Sequence, residues 1–144
     1  MKRLALALIL LFPMLSCSRP APLEVENAWA RDTVGSTANA AVFMTISSPT
    51  PDRLIGASTP VAKKTDLMTM VGGGSAMEMK YLKAIDIPAG TAVSLNPSGL
   101  HVWLAELNEP LMAGQTFPLT LQFEKAGERR VTVSTIRPAE APPT

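Results

Sequence analysis

Four of the eight methionines in this 144-residue chain lie between positions 68 and 79, on both sides of three consecutive glycines. They are Met68, Met70, Met77 and Met79. Residues two apart along a β-strand point to the same side. A hairpin of residues 67–70 and 77–80, with a loop over 71–76, therefore places all four thioethers on one face. The register that we predict sets Met68 opposite Met79 and Met70 opposite Met77, close enough for two thioethers to contact one ion.

A cluster of thioethers can bind a soft metal ion. Thioethers suit Cu(I), whereas harder cations prefer oxygen ligands, and a thioether binds without losing a proton. The other interpretation is that these methionines fill gaps in a core or form an adaptable apolar surface. The hairpin by itself favours that second interpretation, because methionine on a buried face is common.

The chain has one histidine, His101, and one cysteine, Cys17. His101 follows a turn predicted over residues 96–100 and begins a predicted strand. A single histidine is more often structural or exposed than a metal ligand. No nucleophile motif such as G-x-S-x-G is present, and a hydrolytic metal site needs histidine and carboxylate ligands. These observations predict that the protein is not an enzyme.

The N-terminal residues have the pattern of a secretory signal. Lys2 and Arg3 precede an apolar run over residues 4–15, which is too short to span a bilayer as a helix. The run ends in MLSC, which resembles a bacterial lipoprotein box and predicts cleavage before Cys17 and lipidation of that residue. The alternative is an ordinary signal peptide cut nearby. We expect a signal peptide over residues 1–16, a lipidated cysteine with its linker over 17–24, and export of the protein.

The rest of the chain has the pattern of short strands separated by turns. In the segment LTLQF, Leu119, Leu121 and Phe123 share one face, and turn sequences such as PAG, NPSG and KAGER separate the strands. This pattern predicts one all-β domain over residues 25–136, an antiparallel sandwich or barrel, followed by a Pro-rich disordered tail over 137–144. The formal net charge of +1 gives no indication of nucleic-acid binding.

The spacing Met68-x10-Met79-x21-His101 resembles the motif of the periplasmic copper chaperones of the PCu(A)C type. In that family the pattern is His or Met, ten residues, Met, twenty-one residues, and His-x-Met. The segments NAWAR, DRLIGASTPVA, IPAGTAVSLNPSGLHVWL and PLMAGQTFPLTLQFEKAG also look like that family. The resemblance implies a cupredoxin-like Greek-key β-sandwich that binds Cu(I). It also implies delivery of the ion to another protein, such as a cytochrome oxidase assembly factor or an oxidase subunit.

Carried over position by position, the resemblance implies Met68, Met79 and His101 as ligands, with Met70 and Met77 as nearby alternates. The last methionine of the family pattern is replaced here by Trp103. The indole could pack over the ion, because its face attracts cations, or it could be an apolar cover over a site that no longer binds metal. Asp66 lies on the strand face of Met68 and could donate to Cu(II), although we expect it in solvent.

The expected function is therefore that of a copper-binding protein on the periplasmic side of the envelope, held to a membrane by a lipid on Cys17. Cu(I) is favoured over Cu(II), and a monomer is expected. The alternative is that the same sandwich has lost metal binding and serves as an interaction or assembly module of the envelope. A third possibility is a Cu(II) site formed by His101 and Asp66.

Overall fold

The computed structural model describes residues 22–35 and 38–144. The predicted signal peptide, Cys17 and most of the predicted linker lie outside the described residues. Across the two described ranges, no helix is both long and apolar enough to cross a membrane. Residues 137–144 follow the last strand and are exposed, and their disorder stays a prediction.

Ten strands and one short 3₁₀ helix make up the described secondary structure. The strands are β1 (Glu24–Arg31), β2 (Ala40–Ser47), β3 (Asp52–Ser58), β4 (Ala62–Val71), β5 (Glu78–Leu82), β6 (Ile85–Ile87), β7 (Val93–Leu95), β8 (His101–Leu107), β9 (Thr116–Phe123) and β10 (Gly127–Ile136). The 3₁₀ helix spans Gly74–Ala76. The alternation predicted for the segment LTLQF is confirmed, because its three apolar side chains are buried and the residues between them are half-buried.

The strands follow the order β5-β4-β8-β2-β1-β10-β9-β3-β6, and β7 pairs with β2. One buried cluster of mostly aliphatic side chains takes members from both halves of this order, so the two halves face each other across a shared core. The predicted all-β sandwich is confirmed. One strand pair departs from the antiparallel pattern, because β1 and β10 run parallel. The first and last strands of the chain lie side by side there, so the whole domain connects them and no tight turn is needed.

One face of the sheet forms the core, and the other carries the predicted site. In β8, Val102 and Leu104 point into the core, so His101 and Trp103 point to the outer face. In β2 the outer face carries Phe43, which packs in a second, smaller cluster. The candidate ligands on this face therefore lie outside the main core cluster.

A bulge in β1 adjusts the outer face further. The pairing with β2 shifts register between Glu26 and Trp29, where Asn27 has a φ of 53°. A bulge of this kind moves the following side chain to the opposite face of the strand. Trp29 thereby packs on Phe43, with ring centroids 4.7 Å apart.

At the end of the sandwich that holds the β9–β10 turn, Asp52 ties the start of β3 to that turn. Its carboxylate accepts hydrogen bonds from the backbone N–H groups of Arg53 (2.8 Å), Lys125 (2.9 Å) and Ala126 (2.9 Å). Burial raises the pKa of this carboxyl, but the three backbone donors outweigh burial and hold the pKa below its ordinary value. Because the folded pKa is depressed, the stabilisation is present at neutral pH and is lost as the pH falls through the folded pKa.

We predict that Asp52→Asn lowers the free energy of unfolding by about 1–3 kcal/mol at pH 7, because an amide replaces the charged acceptor of three hydrogen bonds. Chemical denaturation of the wild type and the variant measures this difference. The difference should shrink as the pH falls through the depressed folded pKa of Asp52, where the wild-type carboxylate becomes protonated.

Asp86→Asn is the matched control. Asp86 pairs with Arg53 at 3.1 Å, but its side chain is 86% exposed, so its loss should cost less than about 1 kcal/mol. Equal effects of the two substitutions at pH 7 would contradict the role assigned to Asp52.

Candidate metal centre

The methionine hairpin forms, but with a different register from the predicted one. In the β4–β5 pairing, Met70 lies opposite Met79 and Met68 lies opposite Tyr81. The predicted pairs, Met68 with Met79 and Met70 with Met77, are therefore wrong by a shift of two residues. The shift preserves the faces, since side chains alternate with a period of two. Met68, Met70 and Met79 consequently share one face, while Met77 lies in the loop, outside the paired residues.

The loop explains the shift. β4 continues through Val71, and the connection over residues 72–77 contains the 3₁₀ helix Gly74–Ala76. Gly72 has a φ of 94°, and a Cβ at this position would collide with the carbonyl oxygen of Ala76. The chain therefore reverses later than predicted, through a turn that only glycine fits at position 72.

Two of the predicted ligands lie directly opposite each other. Met68 faces His101 across the β4–β8 pairing, and both are nearly fully buried, with 2% and 3% of their surfaces exposed. The two residues lie 33 positions apart along the chain, so no local structure brings them together. The sheet brings them together because β8 returns antiparallel beside β4, with Met68 and His101 on the same outer face.

The carbonyl oxygen of Gly99 sets the orientation of the imidazole. It lies 2.9 Å from Nδ1 of His101 and accepts a second hydrogen bond, of 3.1 Å, from the N–H of Met70. A carbonyl oxygen can only accept, so Nδ1 must carry the proton. In the neutral ring the lone pair is then on Nε2, which becomes the nitrogen able to bind a metal ion.

The hydrogen bond from the N–H of Met70 to the carbonyl oxygen of Gly99 also indicates how close Met70 and Met79 are. The N–H of Met70 points to Gly99 on the β8 side, so Met70 and Met79 form a non-hydrogen-bonded pair of the β4–β5 hairpin. The Cα atoms of such pairs are about 4.5 Å apart, closer than in hydrogen-bonded pairs. The two thioethers therefore lie side by side on the face that carries Met68.

Exposure changes steeply across the candidate ligands. Met68 and His101 are buried and Met70 is half-buried, whereas Met79 is 47% and Met77 is 42% exposed. The donors thus extend from the protected outer face of β8 to the exposed edge strand β5. An ion held here is anchored on the buried side and accessible from the β5 side.

Aromatic rings flank the imidazole on both sides. The ring centroid of Trp103 lies 6.3 Å from that of His101 at an interplanar angle of 68°, and Phe43 lies at 6.2 Å and 59°. Both neighbours restrict rotation of the imidazole and limit the access of water to it. Phe43 and Trp29 were not among the predicted site residues. Trp29 lies in the NAWAR segment, whereas the position of Phe43 beside His101 follows only from the β2–β8 pairing.

Asp66 lies opposite Trp103 across the β4–β8 pairing, diagonal to His101. It is half-buried, so the expectation that it lies in solvent is only partly correct. Within residues 22–35 and 38–144, no three His, Cys, Asp or Glu side chains come together in a way that could hold a metal ion. The candidate centre in the described part of the chain is accordingly built on thioethers and one imidazole.

Comparison with known proteins gives the family. The family model described as "Putative lipoprotein LpqE-like" matches residues 23–135. The chain belongs to this LpqE-like family, the PCu(A)C family. The protein named "Putative lipoprotein Lxx21020" of Leifsonia xyli subsp. xyli (strain CTCB07) is 31% identical over 113 residues, which cover 77% of this chain and 68% of that protein.

Solved structures of PCu(A)C domains have the same fold. The solution structure of CuI-DR1885 from Deinococcus radiodurans has a TM-score of 0.70 at 30% identity, covering 87% of this chain and 85% of that one. The copper-bound PCuAC domain from PmoF2 has a TM-score of 0.66 at 27% identity, covering 83% and 97%. The apo PCuAC domain from PmoF1 has a TM-score of 0.69 at 24% identity, covering 83% and 98%. The cupredoxin-like β-sandwich expected from the sequence is thus confirmed.

We predict that the neutral imidazole of His101 is found in the tautomer with the proton on Nδ1, because the Gly99 carbonyl accepts from that nitrogen. Long-range ¹H–¹⁵N correlation spectra of the metal-free protein distinguish the two ring nitrogens, and the chain has only this one histidine to assign. A spectrum with the proton on Nε2 would contradict the assignment of Nε2 as the free donor.

Proposed function

We propose that this protein binds Cu(I) through Met68, Met79 and His101 and passes the ion to a copper-receiving protein. The observation that carries the proposal is the direct opposition of Met68 and His101, on a face that also carries Met79. Membership of the PCu(A)C family supports it, as do the copper-bound states named for the PmoF2 domain and DR1885.

The donor set favours the cuprous ion over Cu(II). Two thioethers and one imidazole are soft or borderline donors, which suit Cu(I). All three are neutral, so a bound Cu(I) ion adds only one positive charge to a partly buried site, whereas Cu(II) adds two. Asp66 is a carboxylate on this face, and it lies opposite Trp103.

The gradient of exposure supports transfer to a partner. Met68 and His101 hold the ion from the buried side, and Met79 holds it from the exposed side. A recipient can therefore add its own ligand from the β5 side before the buried ligands let go. Met70 lies opposite Met79 and is the alternate ligand nearest to this exchange, while Met77 is a further thioether in the loop.

Trp103 is the residue on which copper binding and its metal-free alternative differ most. We infer that the indole covers the ion beside His101, excludes water and leaves the site one ligand short of the family pattern. The alternative function is a metal-free interaction module of the envelope, and Trp103 is the observation that favours it, since indole has no lone pair to offer. The retained positions of Met68, Met79 and His101 favour copper binding.

The cellular setting is part of the same proposal. The lipoprotein names of the family and of the Leifsonia protein support a lipid anchor on Cys17. We place the domain on the periplasmic side of the envelope, where a thioether resists the oxidation to which a thiol is prone. The recipient is a cytochrome oxidase assembly factor or an oxidase subunit. A binding and transfer role does not require catalysis by this chain.

An anaerobic competition titration with a Cu(I)-specific chelator tests the proposal. We predict one-to-one binding, weakened at least about tenfold by His101→Ala, by Met68→Leu and by Met79→Leu, since each removes a ligand. Met→Leu conserves volume and costs little stability. Met112→Leu is the control, because Met112 is 51% exposed and lies outside the hairpin. If the wild type binds Cu(I) no more tightly than the His101→Ala protein does, the proposed site is contradicted and the metal-free alternative is favoured.

The same titration applied to Trp103→Met tests the incomplete ligand set. Restoring a thioether at this position should tighten Cu(I) binding, since the new sulfur would lie on the strand face of His101. Trp103→Phe controls for loss of the indole without gain of a donor. Unchanged affinity in Trp103→Met would contradict the assignment of position 103 as a vacated ligand position.

A further inference from the structure

One edge of β5 is unpaired although this strand carries a proposed metal ligand, Met79. β5 lies at one end of the strand order, so within the described residues only β4 pairs with it. Met79 and Tyr81 are 47% and 66% exposed. Because Met70 and Met79 form a non-hydrogen-bonded pair, the N–H and C=O groups of Met79 point away from β4, towards the open edge. The strand thus offers backbone donors and acceptors beside an exposed thioether.

The charges on β5 select which strand can pair there. Glu78 and Lys80 flank Met79, are both exposed, and lie on the opposite face of the strand from Met79. The ion pairs among the described residues involve other side chains. Charges on an edge strand disfavour pairing with most other strands. An antiparallel copy of β5 centred on Met79 fits these charges, because it places each Glu78 opposite a Lys80.

In place of the monomer expected from the sequence, we propose that the open edge of β5 docks against β5 of a second copy of this chain. The two strands run antiparallel, and the two Met79 residues flank the two-fold axis. The interface is isologous, so both copies use the same patch. In this register the two Met79 residues are directly opposed, and each Tyr81 lies opposite Met77 of the second copy. Two Glu78–Lys80 pairs form on the other face of the ribbon.

The pairing has a consequence for copper that rests on the function proposed above. Met70 lies opposite Met79 within each chain, so the dimer aligns four thioethers in one row across the junction. A Cu(I) ion at Met79 of one copy then has soft ligands from the other copy within reach. Paired strands of five residues are weak by themselves, and an ion that binds the dimer more tightly than the monomer stabilises it. Cu(I) should therefore strengthen the association, and a recipient that approaches from the β5 side must displace the second copy.

Sedimentation equilibrium of the purified protein, with and without one equivalent of Cu(I) under anaerobic conditions, tests this proposal. We expect weak association without copper and a dimer with copper. Lys80→Glu replaces two attractive pairs with two repulsive ones and should raise the dimer Kd about tenfold or more, with or without copper. The double variant E78K/K80E restores opposite charges and should restore the wild-type Kd. Lys83→Glu makes the same change in net charge outside β5 and should leave the Kd unchanged.

Bound copper is measured on the same samples, so two failures can be told apart. Copper-loaded wild type that binds one ion per chain yet stays monomeric would overturn the dimer and leave the proposed function standing. That result is also expected if the edge serves only a strand of the recipient. A Kd that Lys80→Glu leaves unchanged, or that the double variant does not restore, would overturn the register. Protein that binds no copper would contradict the proposed function. The dimer Kd values of the charge variants, measured without copper, would then test the β5 pairing by themselves.

Discussion

The carbonyl oxygen of Gly99 accepts hydrogen bonds from two groups on different strands, and the geometry of the site follows from them. The N–H of Met70 fixes the register of β4 beside the start of β8. The Nδ1–H of His101 fixes the ring and leaves the lone pair on Nε2. One acceptor therefore aligns the methionine strand with the histidine and selects the tautomer. The turn before β8 is consequently part of the site, although it supplies no ligand.

The sandwich makes this arrangement possible by separating stability from chemistry. The core is formed by mostly aliphatic side chains on the inner faces of the strands, and Asp52 ties β3 to the turn between β9 and β10. The outer faces of β4 and β8 are then free to carry thioethers and an imidazole. His101 is nevertheless buried, because aromatic residues of β8 and β2 flank it. The site thus combines a protected histidine with an exposed edge strand.

Local patterns predicted the fold class and the faces, because alternation along a strand is a local property. The alternation of Leu119, Leu121 and Phe123 was correct, and so was the shared face of Met68 and Met79. The register of the hairpin was wrong because it depends on the conformation of the loop, where a 3₁₀ helix delays the reversal of the chain. The parallel pairing of β1 with β10 and the contact of Phe43 with His101 depend on strands distant in sequence, which no local pattern reports.

The proposed site holds one ion between thioethers of the hairpin and the imidazole of His101. X-ray absorption spectroscopy of the copper-loaded protein can identify this ligand set, because the edge reports the oxidation state and the fine structure reports the ligand atoms. We expect a cuprous edge with at least two sulfur ligands and one imidazole nitrogen, and loss of the nitrogen in His101→Ala. A ligand shell of nitrogen and oxygen without sulfur would contradict this ligand set and would place the copper away from the methionine hairpin.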